Sequence, residues 1–185
     1  MKFSGMLGGD RAPTLFLGQA GVYRVASECL LRGIDVSIPA VDLGVDLMTE
    51  TGKRLQVKAA SLHKRKQASY KKDGSPCFVG PAYFFNFSWN QGGAQHKARR
   101  RPRTYSSEID AMILWGVDED RFWICPPSIF DGRQGLVLFP GRSYAKISQA
   151  VPFSALVYQH EDNWDLIREE ISVESEVPKL ELMEK

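Results

Sequence analysis

The chain has 185 residues, of which 43% are hydrophobic and 25% charged, and its formal net charge is +2. This size suits one globular domain with its own core. No apolar run approaches the roughly 18 residues that a membrane-spanning helix needs, and the first residues lack the pattern of a secretory signal. The cysteines show no C-x-x-C spacing, which favours a reducing compartment over a disulfide framework or a zinc site. We therefore expect a cytoplasmic protein without a membrane partner.

The small net charge hides two segments of opposite sign. Between positions 64 and 103 a series of lysines and arginines is accompanied by the single acid Asp73. From Glu161 onward, most of the charged residues are acidic. Charge segregation of this kind indicates a polyanionic partner and carries no information about the fold.

The first predicted element is an amphipathic helix over 19–32, which follows a glycine-rich lead-in at 1–17. Val22 and Val25 begin an apolar stripe at helical spacing, and Gly33 supplies the stop signal.

Strands follow the helix. Residues 34–38 alternate between apolar and polar side chains, and a second strand is predicted over 43–49. Gly52 lies in a tight turn where a positive φ is expected, and alternation resumes over 54–60. These residues predict a β-hairpin.

The rest of the chain predicts mostly strands and loops. In chain order these are a loop over 61–79, an aromatic strand over 83–89, a basic loop over 95–105, a hairpin over 111–117 and 122–125, a short strand over 136–139, a late helix capped by Asp162 and an acidic tail over 172–185. Strands mixed with an early and a late helix indicate an α/β or α+β fold with a mixed sheet.

Polar side chains converge on the predicted hairpin. Gln56 and Lys58 share the face opposite the apolar residues of their strand. A turn centred near Thr51 places Asp46 across from Gln56 on the same face. The acid and the amide can hold a hard divalent cation through their oxygen atoms, while the lysine ammonium faces the attacked phosphate. The alternative is an ordinary ion pair of Asp46 with Lys58 or Arg54.

This arrangement resembles the PD-(D/E)XK nucleases. The resemblance rests on the order of a helix with Glu28, the strand 35–39, Gly44-Val45-Asp46 and Gln56-Val57-Lys58. It is greatest from 18 to 62, and it is nearest to the variant found in group I intron-encoded homing endonucleases and related bacterial endonucleases, in which glutamine replaces the second acid.

The resemblance implies a role for each matching residue. Asp46 would be the central ligand of Mg²⁺, for which Mn²⁺ could substitute, and the Gln56 side chain and the Val57 carbonyl would complete the protein ligands. Lys58 would orient the attacking water and stabilise charge on the phosphate. Glu28 would approach from the helix, to the metal directly or through water.

Glu28 has a competing interpretation. Arg24, Glu28 and Arg32 are spaced four residues apart and could form ion pairs along one helix face. At Gln56, an amide oxygen lacks the formal charge of a carboxylate, so the metal site would bind Mg²⁺ more weakly unless Glu28 contributes.

The basic loops suit contact with a phosphate backbone. The residues expected to bind nucleic acid are Lys64, Arg65, Lys66, Lys97, Arg99, Arg100, Arg101 and Arg103. A solvated charged loop is the alternative explanation for the same residues.

Together these features and the resemblance predict a metal-dependent DNA endonuclease, and the resemblance implies a restriction-endonuclease-like core over 18–171 in which helices flank a mixed β-sheet. The resemblance further implies a dimer, since one such site cuts one strand. One rival is a catalytically weak nucleic-acid-binding protein on the same fold, and another is an interaction subunit that uses its acidic tail to bind a basic partner or its own basic loop.

Overall fold

The computed structural model describes residues 14–40, 44–64, 81–87, 104–140 and 153–168. Its elements in chain order are α1 (Thr14–Leu31), β1 (Val36–Ser37), β2 (Leu47–Thr49), β3 (Arg54–Ala60), β4 (Leu62–Lys64), β5 (Pro81–Asn86), β6 (Ala111–Gly116), β7 (Arg121–Cys125), a 3₁₀ helix (Pro127–Phe130), β8 (Gly135–Leu138), α2 (Phe153–Tyr158) and a second 3₁₀ helix (Trp164–Leu166). In these ranges no helix is long and apolar enough to cross a membrane.

The strands form two sheets. The larger has five strands in the order β1-β2-β3-β6-β7, and the smaller has three in the order β4-β5-β8. β3 and β6 are parallel, with Leu55 beside Ala111, whereas the other pairs are antiparallel. The architecture is thus α+β with a mixed sheet, as the sequence predicts.

Helix α1 covers one face of the five-stranded sheet. Its buried residues Val25 and Cys29 belong to the same apolar cluster as Val57 and Ile113 of the central strands. The helix lies close to β3 at Gly21, where an added Cβ would be 2.9 Å from the Ala59 Cβ. Glycine therefore permits the helix to lie directly on β3.

The smaller sheet and α2 lie over the opposite face. Tyr83 and Phe85 of β5 pack in a second apolar cluster with Leu114 and Trp123 of the larger sheet, and Val157 of α2 joins them. Strand β6 is buried along its whole length because it carries one cluster on each face. The larger sheet therefore has α1 on one face, and the smaller sheet together with α2 on the other.

Two predicted helix boundaries are wrong. Helix α1 begins at Thr14, within the segment predicted as a lead-in. Of the helix predicted after Asp162, the described residues up to 168 form a short 3₁₀ turn at Trp164–Leu166, and Asp162 itself has a φ of +51°. A cap residue normally has extended backbone, so Asp162 cannot begin a helix in this conformation.

Two further elements were not predicted. Helix α2 occupies Phe153–Tyr158, and β4 occupies Leu62–Lys64 within the segment read as a loop. Most of the basic loops over 61–79 and 95–105, and the tail over 172–185, lie outside the described residues.

Candidate active site

Strand β3 presents different chemistry on its two faces. Leu55 and Val57 are buried in the cluster beneath α1. Gln56 and Lys58 alternate with them and therefore point to the other face. Gln56 is only 6% exposed and Lys58 is half-buried. A buried polar side chain needs a hydrogen-bonding partner, and the adjoining strand supplies it.

The hairpin register places that partner. Leu47 pairs with Leu55, so the preceding Asp46 stands opposite Gln56. The register is fixed by a tight turn in which the Thr49 carbonyl accepts the Gly52 N–H at 2.9 Å and Gly52 has a φ of +86°. Glycine adopts this conformation without a steric penalty. The predicted turn and the predicted pairing are both present.

Asp46 and Gln56 are in direct contact. Oδ2 of Asp46 accepts hydrogen bonds from the Gln56 side-chain amide and, at 2.7 Å, from the Val57 backbone N–H. The Asp46 backbone N–H in turn donates to the Leu55 carbonyl at 2.9 Å. Asp46 is thereby fixed to β3 through both its backbone and its side chain. We call these two residues the Asp46–Gln56 pair.

Arg54 does not take up the ion pair considered for Asp46. Its guanidinium Nε and backbone N–H donate to Asp110 Oδ2 at 3.1 and 2.7 Å. These bonds hold the pKa of the Asp110 carboxyl below its usual value. Lys58 lies two residues beyond Gln56 on the same face of β3, which is about 7 Å along an extended strand.

Glu28 is not brought to the Asp46–Gln56 pair. It lies on α1, which covers the other face of the sheet, and its carboxylate accepts bonds from Arg24 and Arg32, both at 2.9 Å. Arg24 lies 4.9 Å from the centre of the Phe122 ring in β7, two strands away from β3. The contacts of Glu28 match the ion-pair interpretation rather than the predicted metal ligand.

The ion pairs around Glu28 extend to a residue that the sequence analysis missed. Asp120 accepts bonds from Arg24 at 2.6 and 3.0 Å and from the Trp115 indole N–H at 2.8 Å. Burial alone would raise the pKa of Asp120, but these hydrogen bonds outweigh it and lower the pKa. Asp120 lies far from Arg24 along the chain, and no local pattern signals their contact.

The residues predicted to bind nucleic acid are mostly outside the described part of the chain. Lys64 is the last residue of β4, so it follows closely on the strand that carries Gln56 and Lys58. The other predicted contacts, Arg65, Lys66, Lys97, Arg99, Arg100, Arg101 and Arg103, lie in ranges that the structure does not describe.

The donor atoms of the Asp46–Gln56 pair suit a hard divalent cation. A carboxylate and an amide both offer oxygen, the ligand that Mg²⁺ prefers, and the pair is adjacent in space. Among the described residues no group of three or more histidine, cysteine, aspartate or glutamate side chains could hold a metal. From the described residues, a cation here would be held by the Asp46 carboxylate together with amide or carbonyl oxygens and water.

No family model matches the chain, and no curated protein matches its sequence. Its fold does match that of a solved structure. The chain is similar to the bacterial homing endonuclease I-Ssp6803I, with a TM-score of 0.57 and 16% sequence identity, over 84% of this chain and 93% of that one. The fold is endonuclease-like. At this level of identity the likeness describes the course of the chain, and the chemistry must be argued from the site.

Proposed function

We propose that the protein is a metal-dependent endonuclease that hydrolyses DNA phosphodiester bonds. The observation that carries the proposal is the Asp46–Gln56 pair, with Lys58 on the same strand face, within an endonuclease-like fold. An acid, an amide oxygen and a lysine on one sheet face are the groups from which a phosphodiester hydrolase can be built.

The chain's own residues have distinct tasks in this proposal. Asp46, Gln56 and the Val57 carbonyl would hold Mg²⁺ or Mn²⁺, and the bound ion would supply Lewis-acid activation of the phosphate and of a water molecule. Lys58 places an ammonium group where it can stabilise negative charge that develops on the phosphate. The Val57 N–H fixes the Asp46 carboxylate before any cation binds, so little reorganisation is needed at that residue.

Gln56 is the residue that must rearrange. Its amide NH₂ now faces Asp46, whereas an amide binds a cation through oxygen. A half-turn about the Cγ–Cδ bond exchanges the positions of the amide nitrogen and the amide oxygen. The resting contact and metal binding are therefore alternative states of the same side chain.

The test is nicking of supercoiled plasmid in Mg²⁺, in Mn²⁺ and in EDTA. We expect metal-dependent nicking that falls by about 100-fold or more in Asp46→Ala and in Lys58→Ala. Glu50→Ala is the matched control, since it removes an exposed acid from the same hairpin and should leave nicking unchanged. Unimpaired nicking by Asp46→Ala would overturn the proposed site.

A second candidate is a DNA-binding protein with little or no nuclease activity. It is favoured by the position of Glu28, because its bonds to Arg24 and Arg32 leave Asp46 as the acid at the candidate site among the described residues. Salt-sensitive DNA binding without nicking in any metal would support this function. Glu28→Gln separates the two roles of Glu28: lost nicking with unchanged thermal stability would make it a ligand, and retained nicking would assign it to its ion pairs.

A further inference from the structure

The face of α1 that points away from the sheet carries no charge. The helix contains two charged residues, and both are engaged: Arg24 binds Glu28 and also Asp120. Among residues 16–31, the exposed side chains on this face are Phe16, Gln19, Ala20, Tyr23, Ser27, Leu30 and Leu31. We call them the α1 solvent face. A surface helix normally presents charged or polar side chains to water, so this composition calls for a partner.

Four of the exposed side chains on this face are large. Phe16 is 66% exposed, Tyr23 59%, Leu30 58% and Leu31 79%. Scaled by the area that such side chains bury, they offer roughly 500 Å² of surface per molecule. An apolar patch of this size is at the upper end of what monomers expose, and such patches commonly mark interaction sites.

The spacing of the exposed residues is that of a two-helix contact. Phe16, Ala20, Tyr23, Ser27 and Leu30 follow one another at intervals of four, three, four and three residues, which is the heptad repeat of packed helices. The large residues occupy one heptad position and the small residues the other. Such a stripe presents alternating knobs and holes to whatever covers it.

We propose that the α1 solvent face binds the same face of a second copy of the chain, with the two helices antiparallel. In this arrangement Phe16 of one copy meets Ser27 of the other and Tyr23 meets Ala20, so each aromatic side chain faces a small one. The contact obeys two-fold symmetry, because each pairing occurs twice. The inference is independent of the proposed nuclease function.

Charge and area both favour a second copy as the occupant. An uncharged face meets itself without repulsion, whereas the acidic segment over 172–185 would find no cation on it. Two copies would bury roughly 1,000 Å² in total, near the lower limit for a specific interface. The association should therefore be reversible and in the micromolar range.

Sedimentation velocity of the full chain across about 1 to 100 µM tests the association, since this range spans a micromolar equilibrium. We expect wild type to shift from monomer to dimer, and Tyr23→Glu to weaken the dimer by about tenfold or more, because two carboxylates would enter an apolar contact. Leu156→Glu alters an exposed apolar side chain on α2 and should dimerise as wild type does. Circular dichroism confirms that each variant is folded.

Two sedimentation results would overturn the proposal. One is a wild type that remains monomeric at the highest concentration, in which case deletion of residues 1–13 shows whether that segment covers the face instead. The other is a dimer that Tyr23→Glu leaves intact, which would place the contact elsewhere.

Disulfide cross-linking tests the antiparallel pairing. Ala20→Cys and Tyr23→Cys are made singly in a Cys77→Ser background, in which the remaining Cys29 and Cys125 are buried. Oxidation with copper phenanthroline should join the two variants efficiently when they are mixed, through position 20 of one copy and position 23 of the other. Efficient cross-links in the unmixed samples, with none gained on mixing, would overturn the antiparallel arrangement.

Discussion

Asp46 uses one oxygen atom for two bonds, because Oδ2 accepts both the Val57 N–H and the Gln56 amide. The first bond ties the residue before β2 to the centre of β3. The second satisfies a glutamine that is almost wholly buried. The same two bonds that stabilise the hairpin also orient the carboxylate, so local stability and the proposed chemistry are not separable at this residue.

Gln56→Glu tests whether the pair can hold a metal. A second carboxylate against Asp46 creates like-charge repulsion, which raises the pKa of one of the two acids and should cost about 1–2 kcal/mol of stability at neutral pH in EDTA. Mg²⁺ should restore that loss, because two adjacent carboxylates bind a divalent cation better than one. The measurement is the melting temperature with and without Mg²⁺. Gln56→Leu is the control, and a Mg²⁺ effect no larger in Gln56→Glu than in Gln56→Leu would contradict a metal site here.

Asp120 predicts an acid-sensitive contribution to stability. Since the folded pKa is lowered, the carboxylate stabilises the fold above its unfolded pKa of about 4, and this contribution is lost as the pH falls through the folded value. Asp120→Asn removes the titrating group while tolerating the positive φ of 52° at this position. Urea unfolding from pH 6 to pH 3 should therefore show a smaller loss of stability in the variant, by less than about 1 kcal/mol, because solvent screens this partly exposed ion pair. Parallel curves would contradict this assignment.

The proximity of Asp46 and Gln56 could be predicted from sequence because a tight turn fixes hairpin register, and register decides which residues face each other. The environment of Glu28 could not be predicted from the sequence. Its spacing from Arg24 and Arg32 allowed ion pairs or a metal, and the choice depends on the rotation of α1 about its axis. Arg24, one turn before Glu28, fixes that rotation through its contacts with Asp120 and Phe122, which are distant in sequence.

At the scale of elements, two glycines in α1 predict opposite outcomes for the same substitution. Gly21→Ala would place a methyl group 2.9 Å from the Ala59 Cβ. A methyl group added at Gly18 would have no neighbouring atom of the kind that could clash within 4 Å. Overpacking against a rigid strand should make Gly21→Ala destabilising by about 1–2 kcal/mol. Gly18→Ala should stabilise by about 0.5–1 kcal/mol, since alanine is the better helix former. Urea unfolding of both variants decides, and equal effects would show that α1 does not lie directly on β3.

Strands were predicted well where one face is buried and the other is polar. β3 spans Arg54–Ala60, as its alternation predicts, because burial of one face imposes a two-residue period. α2 has only six residues, Phe153–Tyr158, which is too few for a helical period to stand out. The division into two sheets could not be predicted from the sequence either. Nothing in Leu62–Lys64 indicates that this strand leaves the sheet of β3 and pairs with β5.

For the whole molecule, the segregated charge predicts how DNA binding responds to salt. Replacement of Arg99, Arg100 and Arg101 by alanine should weaken binding and reduce the slope of log K against log salt by up to about 3, at about 0.9 for each lost phosphate contact. Fluorescence anisotropy with a labelled duplex in EDTA measures this separately from cleavage. The control is a variant in which alanine replaces Arg32, Arg54 and Arg133. These three arginines lie in the described part of the chain and outside the basic loops. An unchanged slope in the Arg99, Arg100 and Arg101 variant would exclude these residues as phosphate contacts.

The parallel pairing of β3 with β6 also governs when the chain can fold. Arg54 and Asp110, bonded at the start of these strands, are separated by 56 residues, and closing so long a loop is entropically unfavourable before the contacts form. During synthesis the β2–β3 hairpin can form as soon as it emerges, but its partner strand follows only much later. Until residue 116 has left the ribosome, one edge of β3 has no native neighbour and remains exposed to other chains. Slow translation between the two strands should therefore favour aggregation, and chaperone binding to the nascent chain should end once β6 is available.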